Sequence, residues 1–152
     1  MRKVILALFV SFSLSGLARA QDAPAPCGPS GQLSADLSSN VAKNSRCFEL
    51  RMYTAETAQD GKGGIDDLHQ RFREKEIQIF ENHGAEAIAV WQSLNDPNTL
   101  VWMLAYRDRA HREEVWEAFR ADPEWTALRQ KYQVPIEASV FMMSATDYSA
   151  LK

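Results

Sequence analysis

Residues 100–125 read LVWMLAYRDRAHREEVWEAFRADPEW, and the change of pattern inside them decides the fold. Leu100 to Tyr106 is an unbroken apolar run of strand length, carrying Val101, Trp102 and Tyr106 among its members, the composition expected of a buried strand. Asp108 follows. Its short carboxylate can accept hydrogen bonds from the free N–H groups of a helix start, and Val115, Ala118 and Phe119 then fall on one helical face with Trp116 at its edge. Asp122 restarts the chain as a second N-cap, with Pro123 in the first helical position, where its missing N–H costs nothing. Trp125, Leu128 and Tyr132 continue at i, i+3 and i+7. The stretch therefore predicts a strand over 99–106 and helices over about 109–120 and 123–132.

Working outward, Cys47 to Tyr53 alternates large apolar with polar or amphipathic residues and predicts the first strand. Residues 54–64 form a loop whose Gly61-Lys62-Gly63-Gly64 lacks the Lys-Ser or Lys-Thr ending of a phosphate-binding loop. Ile65, Leu68, Phe72 and Ile79, widened by Ile77 and Phe80, give one amphipathic helix over 65–82. His83 and Gly84 end it, the glycine through its tolerance of a left-handed backbone. Ala87 to Trp91 is a short strand, Leu94 to Asn98 a turn, and Glu137 to Met143 a last strand. Strand, helix, strand, strand, helix pair, strand is the order of a ferredoxin-like α+β unit, βαββααβ.

The run from Leu100 to Tyr106 is apolar on both faces, yet helices on one side of an antiparallel sheet leave the other side for water. Fully burying a large apolar side chain contributes roughly 1.5–3 kcal/mol, so something should cover the second face. A second copy of the same sheet is the simplest cover. The sequence leaves open which of Val101, Trp102 and Met103 would face it.

Residues 1–20 form a separate object. Arg2 and Lys3 precede an apolar run from Val4 to Leu14, and Ala18-Arg19-Ala20 has the small-x-small form of a cleavage site, so a secretory signal peptide cleaved after Ala20 is expected. The run is shorter than the roughly 20 residues of a bilayer span, and no membrane span is expected after cleavage. Removing Arg2, Lys3 and Arg19 takes the net charge from −3 to −6. An exported acidic domain, periplasmic or secreted, argues against nucleic-acid binding. Residues 21–46, rich in Ala, Pro, Ser and Gly, read as a flexible arm, and 47–152 as a single folded domain. Cys27 and Cys47 both belong to the exported part. They form either a disulfide, closing a loop of about 20 residues for roughly 3 kcal/mol, or two unpaired thiols.

The block from Tyr106 to Trp125, with Phe48-Glu49-Leu50-Arg51, His83-Gly84, Leu100 to Tyr106 and Thr146-Asp147-Tyr148-Ser149, closely resembles the NIPSNAP family. The resemblance runs from about Cys47 to the C-terminus. It implies a dimeric α+β barrel in which two four-stranded sheets meet face to face, with a poorly defined biochemical role. There is one departure: many bacterial members carry a His-Thr pair in mid-helix where this chain has Lys75-Glu76.

No residue pattern for metal, nucleotide or covalent catalysis is present, and no metal or cofactor is expected. His69 borders the apolar stripe of the first helix, as a helix-flank residue or a site residue. Trp91, Trp102 and Tyr106, with Trp116, Trp125 and Tyr132, form core or line a ligand cavity. Glu49, Arg51 and Tyr53 share one strand face by parity. They are either a structural ion pair, in which case Arg51→Ala should cost on the order of 3 kcal/mol or more, or a site where Arg51 holds an anionic or carbonyl ligand and Tyr53 donates to it. The ligand-binding candidates are thus Glu49, Arg51, Tyr53, His69, Trp91, Trp102 and Tyr106. An exported homodimeric binding or interaction module, taking a small apolar or anionic ligand, is the first functional expectation. A cofactor-independent monooxygenase or isomerase of the same architecture is the alternative, and it rests on fold analogy.

Overall fold

The computed structural model describes residues 26–152; the expected signal peptide and its cleavage site lie outside the described residues. A 3-10 turn at Ser30–Gln32 and a short helix α1 (Ala35–Ser38) lead into strand β1 (Cys47–Ala55). Helices α2 (Gly64–Arg71) and α3 (Ile77–Asn82) are joined by a π-helical turn, Phe72–Glu76. Strands β2 (Glu86–Gln92) and β3 (Thr99–Tyr106), helices α4 (Arg109–Ala121) and α5 (Pro123–Lys131), and strand β4 (Ile136–Ser144) complete the chain. The strands form one antiparallel sheet in the order β2-β3-β1-β4, which is the ferredoxin-like α+β unit expected.

The caps act as their chemistry requires. Asp108 accepts from the His111 N–H at 2.9 Å and Asp122 from the Glu124 N–H at 2.7 Å, with Pro123 at the first helical position. Gly84 ends α3 at φ +98°, and His83 Nε2 reaches Asp122 Oδ2 at 2.7 Å, tying the end of one helix to the start of another.

Cross-strand register places Arg51 opposite Trp102, and Tyr53 opposite Leu100 and Ala138. Tyr53, Leu100, Trp102, Leu104 and Tyr106 pack under Leu68, Phe72, Ile79, Phe80, Val115 and Phe119 of the helices. Phe80 stacks on Phe119 at 3.7 Å, and Trp102 meets Tyr53 and Phe72 edge-on at 5.3 and 5.2 Å, each such pair contributing about 0.5–1.5 kcal/mol beyond burial. Trp102 thus belongs to the helix side. Val101 and Met103 belong to the other, together with Phe48, Leu50 and Met52 of β1 and Phe141 and Met143 of β4.

β1 is therefore inside out. Its polar residues Glu49 and Arg51 lie beneath the helices, and its apolar residues Leu50 and Met52 lie on the face that no helix covers. On that open face Met52 is 36%, Trp91 47% and Phe141 51% exposed.

The segment read as a flexible arm is not one over its described residues. Cys27 and Cys47 are joined in a disulfide, and Cys27, Ala42 and Ser45 are buried. The Gly28 N–H donates to Ser144 Oγ at 2.8 Å and the Ala42 N–H to the Ala145 carbonyl at 2.9 Å. Backbone bonds to the tail beyond β4, which periodicity does not register, replace the missing apolar stripe.

Candidate functional site

Side chains of unlike charge converge between the sheet and the helices. Glu49 is fully buried, and five donors meet its carboxylate. Arg51 Nη1 donates to Oε1 at 2.6 Å and Arg112 Nη2 at 2.7 Å; Oε2 accepts from Arg112 Nε at 3.0 Å, Trp116 Nε1 at 2.8 Å and the Tyr106 hydroxyl at 3.0 Å. Since a carboxylate offers about four lone-pair sites, Glu49 is saturated. Burial alone would raise its pKa, but the hydrogen bond and charge of Arg112, the charge of Arg51 and the Trp116 N–H outweigh burial and hold the carboxyl below the usual range. Held ionised and fully bonded, Glu49 is an internal counter-ion with no capacity left to act as a base. Tyr106 is pushed up by burial and by Glu49 beside it.

Arg51 is enclosed by aromatic rings. Its Cζ lies 4.4 Å from the Trp116 ring centre, 5.3 Å from Tyr53 and 5.8 Å from Trp102, within the range of cation–π attraction. Burial pushes the Tyr53 hydroxyl up to about 12, against the opposing charge of Arg51.

A second buried pair lies deeper. Arg71 Nε donates to Glu76 Oε2 at 2.7 Å, both side chains being almost fully enclosed. Their separation of five residues spans the π turn, whose i→i+5 repeat brings such positions onto one face. Burial pushes the Glu76 carboxyl up, and the charge and hydrogen bond of Arg71 offset only part of that.

Of the expected ligand-binding residues, the fold gathers Glu49, Arg51, Tyr53, Trp102 and Tyr106 in one place. His69 and Trp91 are elsewhere: His69 meets Gln92 at 2.7 Å on the surface, and Trp91 sits opposite Val101 on the open face. Arg112, Arg71 and Glu76 are site residues that sequence reasoning missed, whereas Trp116 is among the aromatics read there as forming core or lining a cavity. A signal for Arg112 existed, because 112, 115, 116 and 119 form an i, i+3, i+4, i+7 stripe; a charged residue inside such a stripe needs a buried partner. An open cleft of about 520 Å³ lies beyond the end of β1, lined by Glu56, Lys62, Asp67, Lys131 and Gln133 among others. It includes none of these residues. The buried cluster, with its perturbed carboxyls and enclosed guanidinium, concentrates the chemistry.

Residues 48–150 match the profile of the NIPSNAP family. The chain belongs to the NIPSNAP family. Among solved structures, a NIPSNAP-family protein of unknown function from Agrobacterium tumefaciens is 23% identical, with 74% of this chain and 99% of that chain covered and a TM-score of 0.64. A second NIPSNAP-family protein from the same organism is 20% identical, with 70% and 99% covered and a TM-score of 0.61. An uncharacterised NIPSNAP domain protein from Burkholderia xenovorans is 18% identical, with 68% and 97% covered and a TM-score of 0.57. At these identities the likeness concerns the fold alone. No curated protein matches the chain.

Proposed function

We propose that this NIPSNAP-family chain is an exported homodimer that serves as a binding or interaction module, its two sheets closing on each other through the face without helices. The supporting observation is the inverted alternation of β1. A strand that sends Glu49 and Arg51 under the helices and Leu50 and Met52 outward is stable only if the outward side also leaves water, because each large apolar side chain buried is worth roughly 1.5–3 kcal/mol. Val101, Met103, Phe141 and Met143 extend that face across three strands. A contiguous apolar face of this kind suits an isologous pair.

Export rests on the basic and apolar start of the chain and on Ala18-Arg19-Ala20. Native mass spectrometry of protein recovered from the exported fraction tests both halves of the reading. The expected mass is that of two chains beginning at Gln21; absence of the protein from that fraction would overturn export, chains retaining Met1 would overturn cleavage after Ala20, and a single-chain mass would overturn the dimer.

A further inference from the structure

The turn that joins β2 to β3 is braced by more hydrogen bonds than its two strands require. Asp96 accepts from the Asn98 N–H at 3.0 Å and from the Thr99 hydroxyl at 2.6 Å, and Ser93 Oγ accepts from the Asp96 N–H at 3.2 Å. The Gln92 side-chain nitrogen lies 3.0, 3.1 and 3.2 Å from the carbonyls of Ser93, Pro97 and Thr99, while His69 of α2 meets the Gln92 oxygen at 2.7 Å. On this framework Leu94 is 96% exposed. Turns favour short polar residues, and an apolar side chain presented from a fixed backbone has already lost freedom that docking would otherwise cost. Trp91, 47% exposed on the open face of the sheet, makes the end of β2 just before the turn apolar as well.

A hollow lies at the same end of the sheet, on its other flank. An open cleft of about 580 Å³ sits where β1 ends and β4 begins, lined by Thr54, Ala55, Glu56, Thr57, Ile136 and Glu137. Thr54 and Glu137 are cross-strand partners, and by parity with Leu50 and Met52 they belong to the open face. The cleft therefore gives onto the face that the proposed dimer covers, and Ala55 and Ile136 supply its apolar lining. Within one chain β3 and β1 separate β2 from β4, which keeps Leu94 away from it. Between two chains the distance closes. A two-fold axis running along the strands, midway between facing sheets, reverses the strand order and leaves each end of the sheet at its own level. It sets the partner's β2 against β4, antiparallel, and brings the partner's β2–β3 turn to the end where β4 begins. An axis across the strands would set β4 against its own copy and carry each turn to the opposite end.

We propose that Leu94 is an anchor of the dimer, inserting from its braced turn into the cleft between the end of β1 and the start of β4 of a second copy, once in each direction about a two-fold axis parallel to the strands. This rests on the sheet-face dimer proposed above and adds to it the axis and the residue that fix how the two sheets are aligned. It also accounts for the contact between His69 and Gln92, which steadies the turn that carries the anchor.

Leu94→Ser keeps a residue that turns accept and removes the anchor. In sedimentation of the exported protein over a dilution series, the wild type should dimerise, and Leu94→Ser should dissociate at least about tenfold more readily with its circular dichroism unchanged. Crosslinking gives a second reading. Co-expressed Leu94→Cys and Glu137→Cys chains, treated with oxidised glutathione, should yield far more disulfide-linked mixed dimer than either chain alone, since Cys27 and Cys47 are already bridged to each other. A dimeric wild type whose Leu94→Ser variant associates with unchanged affinity, or whose mixed cysteine pair crosslinks no better than the single chains, would overturn the anchor and leave the sheet-face dimer standing. A monomeric wild type would overturn both.

Discussion

Replacing Arg112 by Ala would strip two of five hydrogen bonds from Glu49 and leave a fully buried carboxylate with Arg51 as its one charged partner. Breaking a buried pair by removing one member costs about 3–5 kcal/mol; with Arg112 still 15% exposed, a loss near the lower end is expected for Arg112→Ala. Arg51→Ala removes one bond of the five and should cost about 1–2 kcal/mol. That is less than the sequence alone implied, because parity along β1 reveals Glu49 and Arg51 but not the residue that crosses from α4. Chemical denaturation of both variants checks the order, and an Arg51→Ala loss exceeding that of Arg112→Ala would contradict it. Glu76 supplies a pH signature of opposite sign to Glu49. A carboxyl raised in the fold is bound to its proton more tightly there than in the unfolded chain, so its stabilising share is full below the unfolded value and is lost as pH rises through the folded one. Glu49, lowered, contributes stability above the unfolded value that is lost as pH falls through its folded one. Glu76→Gln, which keeps an acceptor for Arg71, should therefore raise the melting temperature increasingly from pH 4 to pH 8. A gain that does not grow with pH would show that Arg71 fully compensates the charge.

At the scale of elements, most of the sheet and all the long helices were legible because their signals are local: alternation in β1, the double-apolar run of β3, and the Asp caps of α4 and α5. The π turn was not legible. Apolar residues alone give Leu68, Phe72 and Ile79 a plausible α-helical stripe, whereas Arg71 and Glu76 are also buried on that side, and only a widened turn brings the two together. The docked segment before β1 escaped for a different reason, being held by backbone hydrogen bonds to the tail and by Cys27–Cys47 rather than by apolar periodicity. In the chain-entropy account, closing a loop of this size is worth roughly 3 kcal/mol. Replacing both cysteines by Ser should lower stability by about that amount, and hydrogen exchange should show residues 28–45 losing protection well before the sheet does. Equal protection of the two regions after substitution would mean that the backbone contacts suffice without the crosslink.

For the whole molecule, the buried charged cluster and the proposed dimer contact lie on opposite faces of one sheet. The helix side is filled by aromatic rings and a saturated carboxylate; on the other side, among the described residues, Leu50 and Val101 are half-buried and Met52 and Phe141 exposed, while Met103 and Met143 pack against a small cluster of Phe48, Ala105 and Ala145. The sequence already required cover on both faces of β3 but could not decide which residues look outward, since a seven-residue apolar run has no phase. Cross-strand register supplies the phase by placing Trp102 opposite Arg51 and Met103 opposite Leu50. The direct test is sedimentation velocity of the wild-type chain and of Met103→Arg at micromolar concentration. The wild type should sediment as a dimer, and the variant, with an unpaired charge at the centre of the joined sheets, as monomer or aggregate; a monomeric wild type, or a Met103→Arg variant that remains a dimer, would contradict the account.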